Sequence, residues 1–270
     1  MKIAFLGGGN MATALVGGLI AKGTDPRSVT VVEVSPAARE RLAERYPVQV
    51  ATAPDARMQR CDVLVVAVKP QDAKSAVESI AGSAQGKLVI SIAAGVTLQT
   101  LSRWLGGHRK LVRCMPNTPA LIGAGIAGLY AAPEVSVQEK AAAESILAAV
   151  GEVVWVGEER LLDPVTAVSA SGPAYVFWFI EQLAASAEKL GLSPEVSKKL
   201  ALHTVLGAAK LAASSSEPPA TLRKNVTSKG GTTEAALKVF DEEKLAERFM
   251  RAVEAASRRA CELGREQGKD

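Results

Sequence analysis

Histidine, cysteine and aromatic side chains are all scarce in this chain, and each shortage removes a class of function. His108 and His203 are the two histidines in 270 residues, alongside three cysteines (Cys61, Cys114, Cys261) and 4% aromatics. A serine hydrolase or a histidine-dependent dehydrogenase needs a histidine beside a matching acid or nucleophile. Neither histidine lies near such a motif, so one reads as a loop residue and the other as a helix-packing residue. An odd set of widely spaced cysteines without a C-x-x-C pair argues against a disulfide framework and a zinc site, and no metal is expected. The same cysteine usage suits a reducing, cytoplasmic setting. Apolar runs such as Ala174–Ile180 are far too short to cross a bilayer, and the first residues enter a strand-like run with no signal-peptide pattern. No membrane partner is expected. The net charge of +4 is not gathered into basic runs interleaved with aromatics, which argues against a nucleic-acid partner.

What remains is an ordinary globular composition, 48% hydrophobic and 22% charged, in a length that accommodates two domains. Strand-like runs at 2–6, 29–34, 62–68, 87–92 and 110–114 alternate with helical periodicity at 11–22, 36–45, 71–81 and 98–105. Alternation of this kind, with nearly continuous apolar strands, predicts an α/β domain with a mainly parallel sheet covered by helices on both faces. Residues 125–131 and 153–156 add two strands around a helix at 137–150. After Gly157 the strand signals vanish, and alanine-rich helical periodicity runs on, with Pro164, Pro173, Pro194, Pro218 and Pro219 at helix starts or breaks. The expected division is therefore an α/β domain over 1–157 and an all-α domain over 158–270. The helix that starts near Tyr175 is apolar on most of its surface, and covering it calls for a second subunit.

The first chemical signal is "FLGGGNMA", residues 5–12. It reads as G-x-G-x-x-A between a strand and a helix, the phosphate-binding turn of a Rossmann-type dinucleotide fold. Gly7 permits the tight turn, Gly9 lets the backbone approach a pyrophosphate, and Ala12 lets helix and strand pack closely. Leu6, Gly7, Gly8, Gly9, Asn10 and Met11 are the expected cofactor contacts here. Glu33, about 20 residues further on, would accept the ribose hydroxyls of NAD. Ser35 and Arg39 instead suit the 2′-phosphate of NADP, and Ser35 also stands as the cap of a helix opening at Pro36. The two signals conflict, so NADP(H) and NAD(H) both stay open, and Glu33 reads equally well as a surface residue. "AVKP" (Ala67, Val68, Lys69, Pro70) and "SIAAG", with Ile92, Ala93 and Ala94, follow later strands and fall beyond their carboxyl ends, where ligands of such sheets bind. Lys69 suits either a cofactor contact or a pairing with a helix end.

Taken with "RCMPNTPALIGAG" (113–125), "SASGPAYVFWFIEQL" (169–183) and "NVTSKGGTTEAAL" (225–237), these stretches resemble the pyrroline-5-carboxylate reductases over nearly the whole chain. The glycine turn is shared with many oxidoreductases, whereas "SGPAY" followed by "GGTT" is far more specific. One departure stands out. The family commonly has Ser-Pro-Gly-Gly where this chain has Ser228-Lys229-Gly230-Gly231.

The resemblance implies reduction of 1-pyrroline-5-carboxylate to L-proline, the last step of proline biosynthesis, with hydride from NADPH or NADH. It also implies a homodimer through the C-terminal helices, often assembled into a decamer. An iminium carbon is already electrophilic, so its reduction asks mostly for orientation of donor and acceptor, and scarce histidine is no obstacle. Gly230, Gly231, Thr232 and Thr233 read as a loop opening into a helix whose free amides would hold the substrate carboxylate; a plain helix cap reads the same way. Under the resemblance Thr233 is the catalytic hydroxyl at the imine nitrogen, Ser171 binds substrate from a facing helix start, and Asn225 helps hold the nicotinamide. A β-hydroxyacid dehydrogenase would need a lysine in the first helix of its C-terminal domain, and 169–175 contains none. A non-catalytic nucleotide-binding protein is the remaining alternative.

Overall fold

The computed structural model describes residues 1–268. Its strands are β1 (Ile3–Leu6), β2 (Val29–Val32), β3 (Gln49–Ala51), β4 (Val63–Val66), β5 (Leu88–Ser91), β6 (Leu111–Met115), β7 (Gly125–Ala131) and β8 (Gly151–Trp155). Among the described residues they form one sheet in the order β3-β2-β1-β4-β5-β6-β7-β8. Strands β1 to β6 are parallel throughout. β1, β2, β4 and β5 are buried along their whole length, as the continuous apolar runs require of strands covered on both faces. The chain order reverses between β1 and β4, which leaves a crevice at the carboxyl ends of these strands.

Several elements differ from the sequence reading. β3 lies outside the runs that read as strands; it is a three-residue edge strand whose first two residues are only half-buried. The strand expected over 62–68 closes at Val66, which leaves Ala67–Lys69 beyond it. The helix expected over 71–81 is broken into the turn Pro70–Asp72 and two short helices, Ala73–Glu78 and Ala81–Ala84. β7 runs antiparallel to β6, and β8 parallel to β7. The connection 116–124 is too short for the crossover helix that a parallel pairing demands, so the chain must turn back.

Two compact units result. The first holds residues 1–171 together with 255–268, and the second holds Gly172–Glu254. Within the first, the end of the helix Leu245–Gln267 lies on the segment after β5: a side chain at Gly95 would come 3.3 Å from the Leu263 backbone, and Arg103 donates to the Gly268 carbonyl at 3.1 Å.

The second unit carries the helices Gly172–Lys189, Pro194–Ser214, Pro219–Asn225 and Thr232–Glu242 and the start of Leu245–Gln267. Among its described residues, Ser197 and Ala201 alone are buried. Phe177 and Trp178 are 65% and 57% exposed, and Phe179, Leu200 and Leu206 are also open. An all-helical unit with so little interior cannot cover its own apolar faces.

Candidate functional site

The glycine turn is built by close approach. Gly7 has φ +99, a left-handed conformation, and a Cβ there would fall 2.7 Å from the Ala67 carbonyl oxygen at the end of β4. A Cβ on Gly9 would meet nothing within 4 Å. That open space is the room a backbone-bound phosphate needs. Gly9 is also the N-cap of the helix Asn10–Ala21, and it supplies no side-chain cap, so the first-turn amides are not satisfied from within the turn. Ala12 is buried against the sheet.

Beside this turn, at the β1–β4 reversal, lies a cleft of about 610 Å³. Leu6, Gly7, Gly9, Glu33, Ser35, Ala67, Val68 and Lys69 line it, joined by Thr52, Ala53 and Pro54 from the end of β3. Gly8, Gly9 and Asn10 border a second hollow of about 480 Å³ with Arg41 and Arg45. An elongated dinucleotide fits these neighbours: an apolar trough, a glycine turn without side chains and free amides at a helix start.

Glu33 and Arg39 are both held by hydrogen bonds to backbone. Glu33 accepts from the amide of Gly8 at 2.7 Å and from the amide of Ser35 at 2.7 Å. Arg39 donates through Nη1 to the carbonyls of Glu33 and Val34, both at 2.8 Å. Ser35 caps the helix Pro36–Arg45 by accepting from the Ala38 amide at 3.5 Å. Glu33 is therefore a fixed part of the cleft, not a side chain turned outward. Lys69 forms no ion pair among the described residues and borders the cleft.

Two of the three thiols and His108 are held inside the fold, while His203 is exposed on the helix Pro194–Ser214. Burial pushes Cys61 up to about 11 and raises Cys114 as well, so neither offers a thiolate. His108 sits against the Lys87 carbonyl at 2.9 Å. Among the described residues no group of three or more His, Cys, Asp or Glu could hold a metal ion, and no helix is long and apolar enough to cross a membrane.

In the second unit, Gly230 has φ +72, and Gly231 is the N-cap of Thr232–Glu242 with no side-chain cap. The Glu234 carboxylate reaches back to accept the Gly230 amide at 2.6 Å. This bond to the residue before the N-cap orders the loop while leaving the amides of the first turn open toward an anion. Thr233 is half-buried in that first turn.

Comparison with known proteins gives these features a common origin. A family model described as "Pyrroline-5-carboxylate reductase dimerisation" matches residues 159–263, and one described as "NADP oxidoreductase coenzyme F420-dependent" matches 2–95. A pyrroline-5-carboxylate reductase of Pseudomonas aeruginosa is 42% identical over 269 residues, 99% of this chain and 98% of the relative. The chain belongs to the pyrroline-5-carboxylate reductase family. The solved pyrroline-5-carboxylate reductase of Coxiella burnetii superposes with a TM-score of 0.92 at 43% identity, covering 97% of this chain and 98% of its own. That of Plasmodium falciparum, solved with NADP bound, gives 0.85 at 31% identity over 98% of both chains.

Within this reductase framework, most of the expected nucleotide contacts meet around one turn and one cleft. Ile92, Ala93 and Ala94 follow β5, where the Ile92 amide donates to the Val66 carbonyl at 3.0 Å, and they do not line the 610 Å³ cleft. Met11 is packed against the core and Pro70 opens a turn, neither of them lining that cleft. Ser171 ends the first unit, while Asn225 and Gly230–Thr233 belong to the second. Sequence reasoning missed Thr52–Pro54, because the strand that delivers them carries almost no strand signal. Nor did it mark out Asn117 within "RCMPNTP", whose side chain bonds the backbone of Ile126 and Ser169.

Proposed function

We infer that the protein reduces 1-pyrroline-5-carboxylate to L-proline by hydride transfer from NADPH, with NADH as the alternative donor. One observation carries this reading: similarity to a pyrroline-5-carboxylate reductase runs over 99% of the chain. Both the dinucleotide turn and the Gly230–Thr233 loop lie inside it. NADPH, when bound, supplies the hydride. The chain's own residues bind and orient. Gly7 and Gly8 shape the turn and Gly9 and Asn10 offer their amides to the pyrophosphate, with Leu6, Met11, Ala67–Pro70, Ile92–Ala94 and Asn225 arranged along the rest of the cofactor, and Ser35 and Arg39 at its ribose end.

For the substrate, Gly230 and Gly231 shape the loop, the open first-turn amides of Thr232 and Thr233 hold the carboxylate, and Ser171 contacts the ring. Thr233 presents a hydroxyl to the imine nitrogen, where it orients the proton that the nitrogen carries in the product. No strong acid is needed at the carbon, since the protonated imine is electrophilic already. We assign dinucleotide binding to 1–157, and dimerisation and substrate binding to 158–270. The exposed apolar helices of the second unit support a homodimer, and the family resemblance supports further assembly to a decamer. Cysteine usage supports a cytoplasmic location.

The direct test follows NADPH absorbance after addition of pyrroline-5-carboxylate, with NADH in parallel and a 3-hydroxy acid with NADP as control. Imine-dependent oxidation with proline as product is expected. Turnover of the hydroxy acid alone, or no turnover at all, would reject the reading.

A further inference from the structure

Asn117 stands directly ahead of the 3-10 turn Thr118–Ile122, where asparagine ordinarily folds its side chain onto the amides of the turn it precedes. Here it makes no such cap. The residue is 8% exposed, and its side chain serves two distant backbone groups instead. Oδ1 accepts from the Ile126 amide in β7 at 2.9 Å. Nδ2 donates to the Ser169 carbonyl at 3.1 Å.

Ser169 belongs to the π-helical turn Thr166–Ala170. In an α-helix its carbonyl would receive the N–H of residue 173, but that residue is Pro173, which has none. The turn is widened here, with the Ser171 amide reaching back to the Thr166 carbonyl at 2.9 Å. Such single π turns are frequent at functional sites. Asn117 supplies the carbonyl with a donor that the proline cannot. From β6, Arg113 grips the same helical run at its start, pairing with Glu159 at 3.1 Å and approaching Asp163 at 3.7 Å. The run is thus fastened at both ends by the strand–loop segment 113–117, and Ser171 lies two residues past the second fastening.

We propose that Asn117 is a positioning residue for the substrate end of the reaction: by holding the Thr166–Ala170 turn against β7, it sets the place of Ser171. The proposal rests on the assignment of Ser171 to substrate binding made above. Asn117 itself touches no substrate.

The test compares wild type, Asn117→Asp, Ser171→Ala and the double variant. Asn117→Asp keeps the acceptor for Ile126 and removes the donor to Ser169 without changing size. Each single variant is expected to raise KM for pyrroline-5-carboxylate by about tenfold, the scale expected for a misplaced contact. The double variant should be no worse than Ser171→Ala, because both act through one hydroxyl. NADPH affinity, by fluorescence titration, should stay constant in all four. Effects that multiply in the double variant, an unchanged KM in Asn117→Asp, or a parallel loss of NADPH affinity would each overturn the proposal. Unchanged KM in Ser171→Ala would reject the Ser171 assignment and the proposal with it. Hydrogen exchange over 166–171 separates these failures from a failure of the functional reading, since it needs no turnover. Faster exchange in Asn117→Asp, with β1 and β4 unchanged, is expected, and equal exchange would overturn the proposal alone.

Discussion

The carboxylate of Glu33 accepts the amide of Gly8 at 2.7 Å, which joins the end of β2 to the phosphate-binding turn. The Glu33 carboxylate also lines the cleft, and under the proposed cofactor pose it faces the ribose. A 2′-hydroxyl can donate to it, whereas a 2′-phosphate must approach against its charge. Glu33→Gln should raise the ratio of kcat/KM for NADPH to that for NADH by about tenfold, near 1.4 kcal/mol. Arg39→Ala should move the ratio the other way, raising KM for NADPH more than for NADH, since a cation beside the phosphate is lost. Equal effects on both cofactors would show that these residues only shape the β2 end.

Thr233→Ala should lower turnover by one to two orders of magnitude, roughly the worth of one positioned polar group. NADPH binding to the free enzyme should barely change. Full turnover with unchanged affinity for pyrroline-5-carboxylate would reduce Gly230–Thr233 to an ordinary helix start.

Phe179→Glu tests the dimer. Phe179 is 45% exposed on a helix of a unit with almost no interior. If a partner subunit covers that face, an unpaired charge there is costly, and sedimentation should find aggregate or dissociated chain. A variant that sediments and turns over like the wild type would place the interface elsewhere.

Asp163→Asn addresses pH. Burial raises the Asp163 carboxyl above its ordinary 3.8, with Arg113 opposing and Glu159 adding to the rise. A raised value means that the fold favours the protonated form. Its contribution is complete below the ordinary value and is lost as pH rises through the folded one. At neutral pH the charged carboxyl is thus a cost, and Asp163→Asn should melt at or above the wild-type temperature. The difference should shrink as pH falls toward about 4. A clear drop in Tm at neutral pH would mean that the 3.7 Å approach of Arg113 outweighs desolvation.

What could be read in the sequence was local. β1, the glycine turn and the helix after it carry their signals within adjacent residues, and the same holds for the uncapped start at Gly231. β3 escaped because Gln49–Ala51 is short and half-buried, so neither alternation nor a full apolar run marks it. The antiparallel β7 depends on which neighbour it meets, and only the length of the preceding loop hints at that. Glu33 looked ambiguous because its partners, Gly8 and Ser35, are backbone amides, which no side-chain pattern records. Asn117 was unreadable for the same reason: its two bonds end on the backbone of Ile126 and Ser169.

The return of 255–268 into the first unit sets an order on synthesis. The sheet leaves the ribosome early and, because domains fold as they emerge, its strands can pair while the second half is still being made. The segment that lies on Gly95 and accepts from Arg103 is translated long after the strand it follows in space. Until it emerges, the Gly95 side of the nascent sheet lacks that cover. Vectorial synthesis thus delays completion of the first unit until the whole second unit has been made, and a ribosome stalled early in the helix Leu245–Gln267 would hold back a unit whose sheet had emerged long before.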